Sequence, residues 1–175
     1  KDIKLTSLRG AVNMMLQDNF LFARSVYDNL VLDKDISKEE VIKICKMLDV
    51  HDIIMKLDKG YETILFNNGS GLSSGERQLL CMARIMVQNQ RILILDEATS
   101  NIDIKTERKL QKAIEMITRD RTTIMVAHRI STIKNCDKIV LVKNKQNFEE
   151  GTHLSLLKKK GDYAKLYNSQ AGKKK

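Results

Sequence analysis

The chain has 175 residues, 42% hydrophobic and 30% charged, with 31 lysines and arginines against 22 acidic residues and a formal charge of +9. This length suits one domain with a single sizeable core, and no apolar run approaches the roughly 20 residues that cross a bilayer. The positive charge is scattered, with runs only at Lys158-Lys159-Lys160 and Lys173-Lys174-Lys175, and aromatics make up 5% of the chain. No basic stripe with stacking platforms emerges, so no nucleic-acid partner is expected. Cys45, Cys81 and Cys136 are odd in number and widely spaced, which excludes a paired zinc pattern and suits reduced thiols in a cytosolic setting.

In chain order, residues 12–16 form a short, mostly apolar run that ends at Gln17, and residues 19–30 read as a loop leading into a helix. Residues 37–48 are predicted helical, with Ser37 as cap, Glu40 at the third position and Val41, Ile44, Met47 and Leu48 on one face. A loop rich in Asn and Gly, residues 67–71, precedes a second helix over about 74–88 with Leu79, Met82, Ala83 and Met86 at helical spacing. Residues 92–95 then read as a buried strand, about 105–117 as a helix and 122–127 as a second buried strand. A strand at 138–142, a hairpin ending near Gly151 and two short helices complete the chain. Helices alternating with short apolar strands predict an α/β fold whose parallel sheet is covered on both faces.

In such a sheet, ligands bind beyond the carboxyl ends of the strands. Asp96 follows four apolar residues and is expected at that edge, where a carboxylate suits a hydrated Mg2+ that bridges phosphate oxygens. Glu97 is placed to polarise a water. A lone Asp-Glu pair after a strand more often caps a helix, but His128 directly follows the next apolar strand and is expected at the same edge, to contact a terminal phosphate or orient water. His51 and His153 follow no comparable strand and read as packing or hydrogen-bonding residues. The loop from Gly69 to Gly75 lets backbone N–H groups approach a phosphate at a helix N-terminus, and Ser73 and Glu76 have the spacing of a capping box.

Taken in order, these elements resemble the ATP-binding cassette (ABC) proteins, specifically their exporter branch, over nearly the whole chain. Gln17-Asp18, Leu21-Phe22 and Asp28-Asn29-Leu30 look like the Q-loop region, Leu72-Ser73-Ser74-Gly75-Glu76 like the LSGGQ signature, and residues 92–97 like the Walker B strand. Ser100-Asn101-Ile102-Asp103 looks like the D-loop and His128 like the switch histidine. The stretch from Arg77 to Arg84 is most similar to the multidrug-resistance-associated subfamily.

The resemblance implies a P-loop NTPase-like ABC ATPase domain: a parallel sheet flanked by helices, with a helical subdomain at about 20–90 and the rest of the core and C-terminal helices in 1–19 and 91–175. It implies ATP and Mg2+ as cofactors. Asp96 and Gln17 would hold the metal, Glu97 would act as general base, and His128 would contact the γ-phosphate. Leu72, Ser73, Ser74, Gly75 and Glu76 would serve nucleotide bound mainly to a second nucleotide-binding domain, in a homo- or heterodimer, with Asp103 communicating across the interface. The implied setting is the cytoplasmic face of a membrane, beneath the transmembrane domains of a transporter.

Two departures stand out. The phosphate loop G-x-x-x-x-G-K-[ST] does not occur among the 175 residues; in the family it lies upstream of the Q-loop, so the N-terminal part of the fold is expected to be missing and the chain alone inactive. The signature carries Ser74 for the first family glycine and Glu76 for the usual glutamine. A soluble ABC ATPase acting on nucleic acid or ribosomes is the first rival reading, disfavoured by the absence of sustained heptads. A non-hydrolytic regulatory cassette is the second, disfavoured by Glu97.

Overall fold

A computed structural model describes residues 3–16, 20–96, 104–127 and 129–171, in two compact units, Lys1–Val126 and Ala127–Lys175. The first unit opens with helix α1 (Leu5–Ala11), which buries no residue, and strand β1 (Val12–Met15). Helices α2 (Val26–Val31), α3 (Lys38–Met47) and α4 (His51–Met55) follow. Next come a 3-10 turn (Gly60–Glu62) and helix α5 (Ser74–Gln88). Strand β2 (Ile92–Asp96), helix α6 (Ile104–Thr118) and strand β3 (Thr122–Val126) complete it. The three strands form a parallel sheet in the order β1-β2-β3, with Met15 opposite Leu95 and Asp96 opposite Val126. A strand, a crossover helix and a parallel strand is the unit that builds such sheets, and the α/β class is as expected.

Side chains alternate across a sheet. Leu93 and Leu95 of β2 point into the core with neighbouring Met15, and there they meet α6, whose Leu110, Ala113, Ile114 and Ile117 fall at helical spacing on one buried face. The opposite face differs from the expectation of a fully buried second strand. Ile124 and Val126 of β3 are 57% and 53% exposed and Met14 of β1 is 54% exposed. An apolar strand sequence reads alike whether one face or both are covered, which is why residues 122–127 looked buried.

Helix α3 starts where the sequence places it, with the Ser37 hydroxyl accepting from the Glu40 N–H at 3.2 Å. Its buried face is centred on Val41 and Cys45, while Met47, expected inside, is exposed. Helix α5 lies deep in the core: Leu79, Leu80, Met82, Ala83, Ile85 and Val87 are all buried. Lys34 Nζ donates to the Val87 carbonyl at 2.7 Å, and Gln88 Nε2 donates to the Val31 carbonyl at 2.7 Å, so the orphan carbonyl end of α5 is tied to α2 and the turn after it.

The second unit holds a short helix α7 (Ile130–Ile133) and an antiparallel hairpin of β4 (Ile139–Lys143) and β5 (Gln146–Gly151). Asn144 and Lys145 both take positive φ in its two-residue turn, the backbone that matches strand twist. Helices α8 (His153–Lys159) and α9 (Asp162–Ala171) pack with it around Ile130, Ile139, Leu156 and Tyr163. The hairpin and paired helices agree with the sequence reading. No described helix is long and apolar enough to cross a membrane.

Candidate functional site

Helix α5 is preceded by a loop that turns through left-handed backbone at Asn67, Asn68, Gly69 and Gly71. At Gly69, φ is +76° and an added Cβ would lie 2.9 Å from Leu21 Cδ1, so both backbone and space call for glycine. Leu72 is buried and fixes the loop to the core, and Ser73 then caps the helix. Its hydroxyl accepts from the Glu76 N–H at 3.2 Å, while Glu76 Oε2 accepts from the Ser73 N–H at 2.9 Å. The capping box inferred from spacing is therefore formed, and the Glu76 carboxylate turns back onto the helix backbone.

The box satisfies the N–H groups of Ser73 and Glu76. It leaves those of Ser74 and Gly75, in the first turn, without an acceptor inside the helix. Ser73 and Ser74 are exposed and Gly75 is buried, so this end of α5 is open to a ligand on its serine side. The helix dipole adds partial positive charge there, and donor N–H groups at a helix N-terminus suit phosphate oxygens.

Asp96 closes β2, half-buried, opposite Val126. By alternation along β2 it shares the sheet face of Ile92 and Ile94, away from the core side of Leu93 and Leu95. The carboxyl ends of β1, β2 and β3 stand side by side at Met15, Asp96 and Val126. In sequence, Gln17 follows β1 by two residues, Glu97 follows β2 directly and His128 follows β3 by two. Gln17, Glu97, Asp103 and His128 themselves lie outside the described residues, and no cluster of three or more metal-binding side chains occurs among the described ones. Asp96 and the Ser73–Glu76 turn share no hydrogen bond, so the described residues form two separate pieces of chemistry.

The other titratable groups behave as structural residues. His51 Nδ1 lies 3.0 Å from the Tyr61 hydroxyl, and His153 Nδ1 lies 2.8 Å from the Tyr163 hydroxyl, in keeping with their reading as hydrogen-bonding histidines. Burial pushes the Cys45 thiol up to about 11 and raises the Cys81 and Cys136 thiols as well; all three are free. Burial also lowers the Arg84 guanidinium from its ordinary value. Arg84 and Asn29, which the motifs alone give no role, tie α5 to the segment that follows Gln17. Their partners lie 55 residues apart in the chain, a pairing with no local sequence pattern.

A sequence profile of the family described as ABC transporter matches residues 1–100. A protein of Staphylococcus aureus (strain NCTC 8325 / PS 47) described as a putative multidrug export ATP-binding/permease protein is 44% identical over 171 residues, covering 97% of this chain and 30% of that protein. Its counterpart in strain Mu50 / ATCC 700699 matches equally. Among solved structures, one described as a bacterial Atm1-family ABC exporter with ATP bound superposes with a TM-score of 0.85 at 38% identity, over 95% of this chain and 30% of that one. The chain thus spans about 30% of the length of these relatives.

Proposed function

The chain belongs to the ABC transporter family, and on that premise we propose that it is part of an exporter-type nucleotide-binding domain that binds and hydrolyses ATP to drive transport across a membrane. The observation that carries this reading is the N-terminus of α5, where the Ser73–Glu76 box holds an exposed helix end with two N–H groups left to donate. The donor set fits the two groups the family implies. Two backbone N–H groups and a serine hydroxyl suit phosphate oxygens, and a single half-buried carboxylate at a sheet edge suits Mg2+, which keeps most of its ligands as waters and phosphate oxygens. A similar exporter was solved with ATP bound.

In this reading Asp96 and Gln17 would hold Mg2+, which would supply charge neutralisation for the transferred phosphoryl group. Glu97 accepts a proton from the attacking water, and His128 donates a hydrogen bond to the terminal phosphate. Leu72, Ser73, Ser74, Gly75 and Glu76 complete a second site, on nucleotide held mainly by another nucleotide-binding domain, and Asp103 contacts that partner. The residues that would cradle the β- and γ-phosphates through a G-x-x-x-x-G-K-[ST] loop are not among these 175; the chain by itself accordingly supports no turnover. The transmembrane part of the transporter is assigned to the neighbourhood of Phe20 and Phe22, large apolar side chains that stay exposed and pack edge to face at 5.1 Å. The setting is then the cytoplasmic face of a membrane.

Glu76 tests this reading. Its carboxylate is engaged by the Ser73 N–H, so Glu76→Gln in the full-length protein is expected to change Mg-ATP turnover by less than about tenfold. Acceleration by orders of magnitude would mean that the native carboxylate repels nucleotide and that the site is degenerate.

A further inference from the structure

A polar network inside the first unit does more than fill space. Arg84, in the third turn of α5, points its guanidinium at the segment that follows Gln17. Its Nε donates to the Asn29 carbonyl at 2.6 Å, one terminal nitrogen to the Phe20 carbonyl at 2.9 Å, and the other to Asn29 Oδ1 at 2.9 Å. The same guanidinium lies over the Phe22 ring, 5.5 Å from its centre. Asn29, only 2% exposed, uses its amide fully: Nδ2 donates to the carbonyls of Phe22, Arg24 and Ser25, and Oδ1 also accepts from the Phe22 N–H at 2.8 Å. From the other side, Asn68 Oδ1 accepts from the Leu21 N–H at 2.7 Å, and Asn68 sits in the loop that runs into the Ser73 cap.

The segment Phe20, Leu21, Phe22 is thus gripped twice by the element that presents Ser73 and Gly75, once through Arg84 and once through the loop ahead of the cap. A planar, five-donor guanidinium holds fixed geometry against several acceptors, which a lysine does not, and a network centred on the buried, fully hydrogen-bonded Asn29 rigidifies what it joins. Leu21 of this segment is buried, while its two phenylalanines stay exposed and apolar, Phe20 at 59% and Phe22 at 40%.

We propose that Arg84 is a positioning residue: acting through Asn29, it makes the Phe20–Phe22 segment and helix α5 one rigid piece, so that whatever grips those phenylalanines also sets the position of the Ser73–Glu76 turn. The functional part of this rests on the ATPase reading above; the mechanical part does not.

Two measurements on the full-length protein separate them. In hydrogen exchange, Arg84→Lys is expected to raise exchange about tenfold or more at the amides of residues 21–24 and also of 72–77, while residues 41–45 of α3 keep the native rate. Faster exchange confined to 21–24 overturns the rigid link. In Mg-ATP turnover, Arg84→Lys is expected to lower kcat about tenfold with KM for ATP within about twofold, and Asn29→Ala in the same background is expected to add little, because the two residues act as a unit. Unchanged kcat in a folded Arg84→Lys protein, or a loss fully additive with Asn29→Ala, overturns the positioning role. A wild-type protein without turnover refutes the ATPase reading and leaves the exchange result to decide the link. Should Arg84→Lys not fold, Asn29→Ala alone removes the side chain through which Arg84 acts; a coupled rise at 21–24 and 72–77 is expected, and a rise confined to 21–24 overturns the link.

Discussion

Helix α5 and the parallel sheet each carry one piece of the candidate site, and they are built to different standards. Around α5, the cap, the Arg84 side and the carbonyl end are tied to other parts of the chain, Ser73 with Glu76, Arg84 with Asn29, and Lys34 with Val87, while the buried Gln78 Oε1 has no partner. The sheet that carries Asp96 is packed on one face by Leu93 and Leu95, while Met14, Ile124 and Val126 stay exposed on the other. Asp96 lies on that second, open face. Position is therefore specified by contacts within the chain at the Ser73-capped helix end, and far less so around the acidic strand end.

The largest effect should come from the packed side of that contrast. Leu95→Ala, in a side chain with no exposure, is expected to cost about 2–5 kcal/mol, whereas Ile124→Thr on the open face is expected to stay within about 0.5 kcal/mol. Urea denaturation of the two variants measures the difference, and equal losses would mean that the open face is covered in solution. Next comes Gly69→Ala, which meets both a φ of +76° and Leu21 Cδ1 at 2.9 Å. A loss of about 1–3 kcal/mol is expected, with exchange rising first at residues 69–74; a neutral result would show that the loop ahead of α5 yields easily.

A smaller effect concerns pH. Burial raises the Cys45 thiol to about 11, above the value of about 8.5 it has in an unfolded chain. The stability tied to its neutral form is then complete below about 8.5 and falls as pH rises toward about 11, because the unfolded chain loses its proton first. Cys45→Val should flatten the fall in urea midpoint between pH 8 and 10, and an identical slope would place the titration at other groups.

Much of this was legible in the residues. The spacing of Ser73 and Glu76 and the period of Leu79, Met82 and Ala83 located α5 within its observed bounds, and Ser37 with Glu40 did the same for the start of α3, because capping is local chemistry. Helix α1 was not legible: it buries nothing, so its apolar residues mark no packed face. The burial of β3 was misjudged because one-sided and two-sided strands share a composition. The grip of Arg84 on Asn29 and Phe20 was invisible for a different reason, since its partners stand far away in the chain and only folding brings them together. For Gln17, Glu97, Asp103 and His128, which lie outside the described residues, sequence spacing alone supports the proposed roles.

The most direct test of the ATPase reading is Mg-ATP turnover by the full-length protein, wild type against Glu97→Gln, with bound nucleotide measured in parallel. Loss of turnover by about a hundredfold or more, with ATP retained in a trapped dimer, is the expected result; a hydrolysis rate equal to wild type would remove Glu97 as the base and with it the assignment of the β2 edge as the hydrolytic centre.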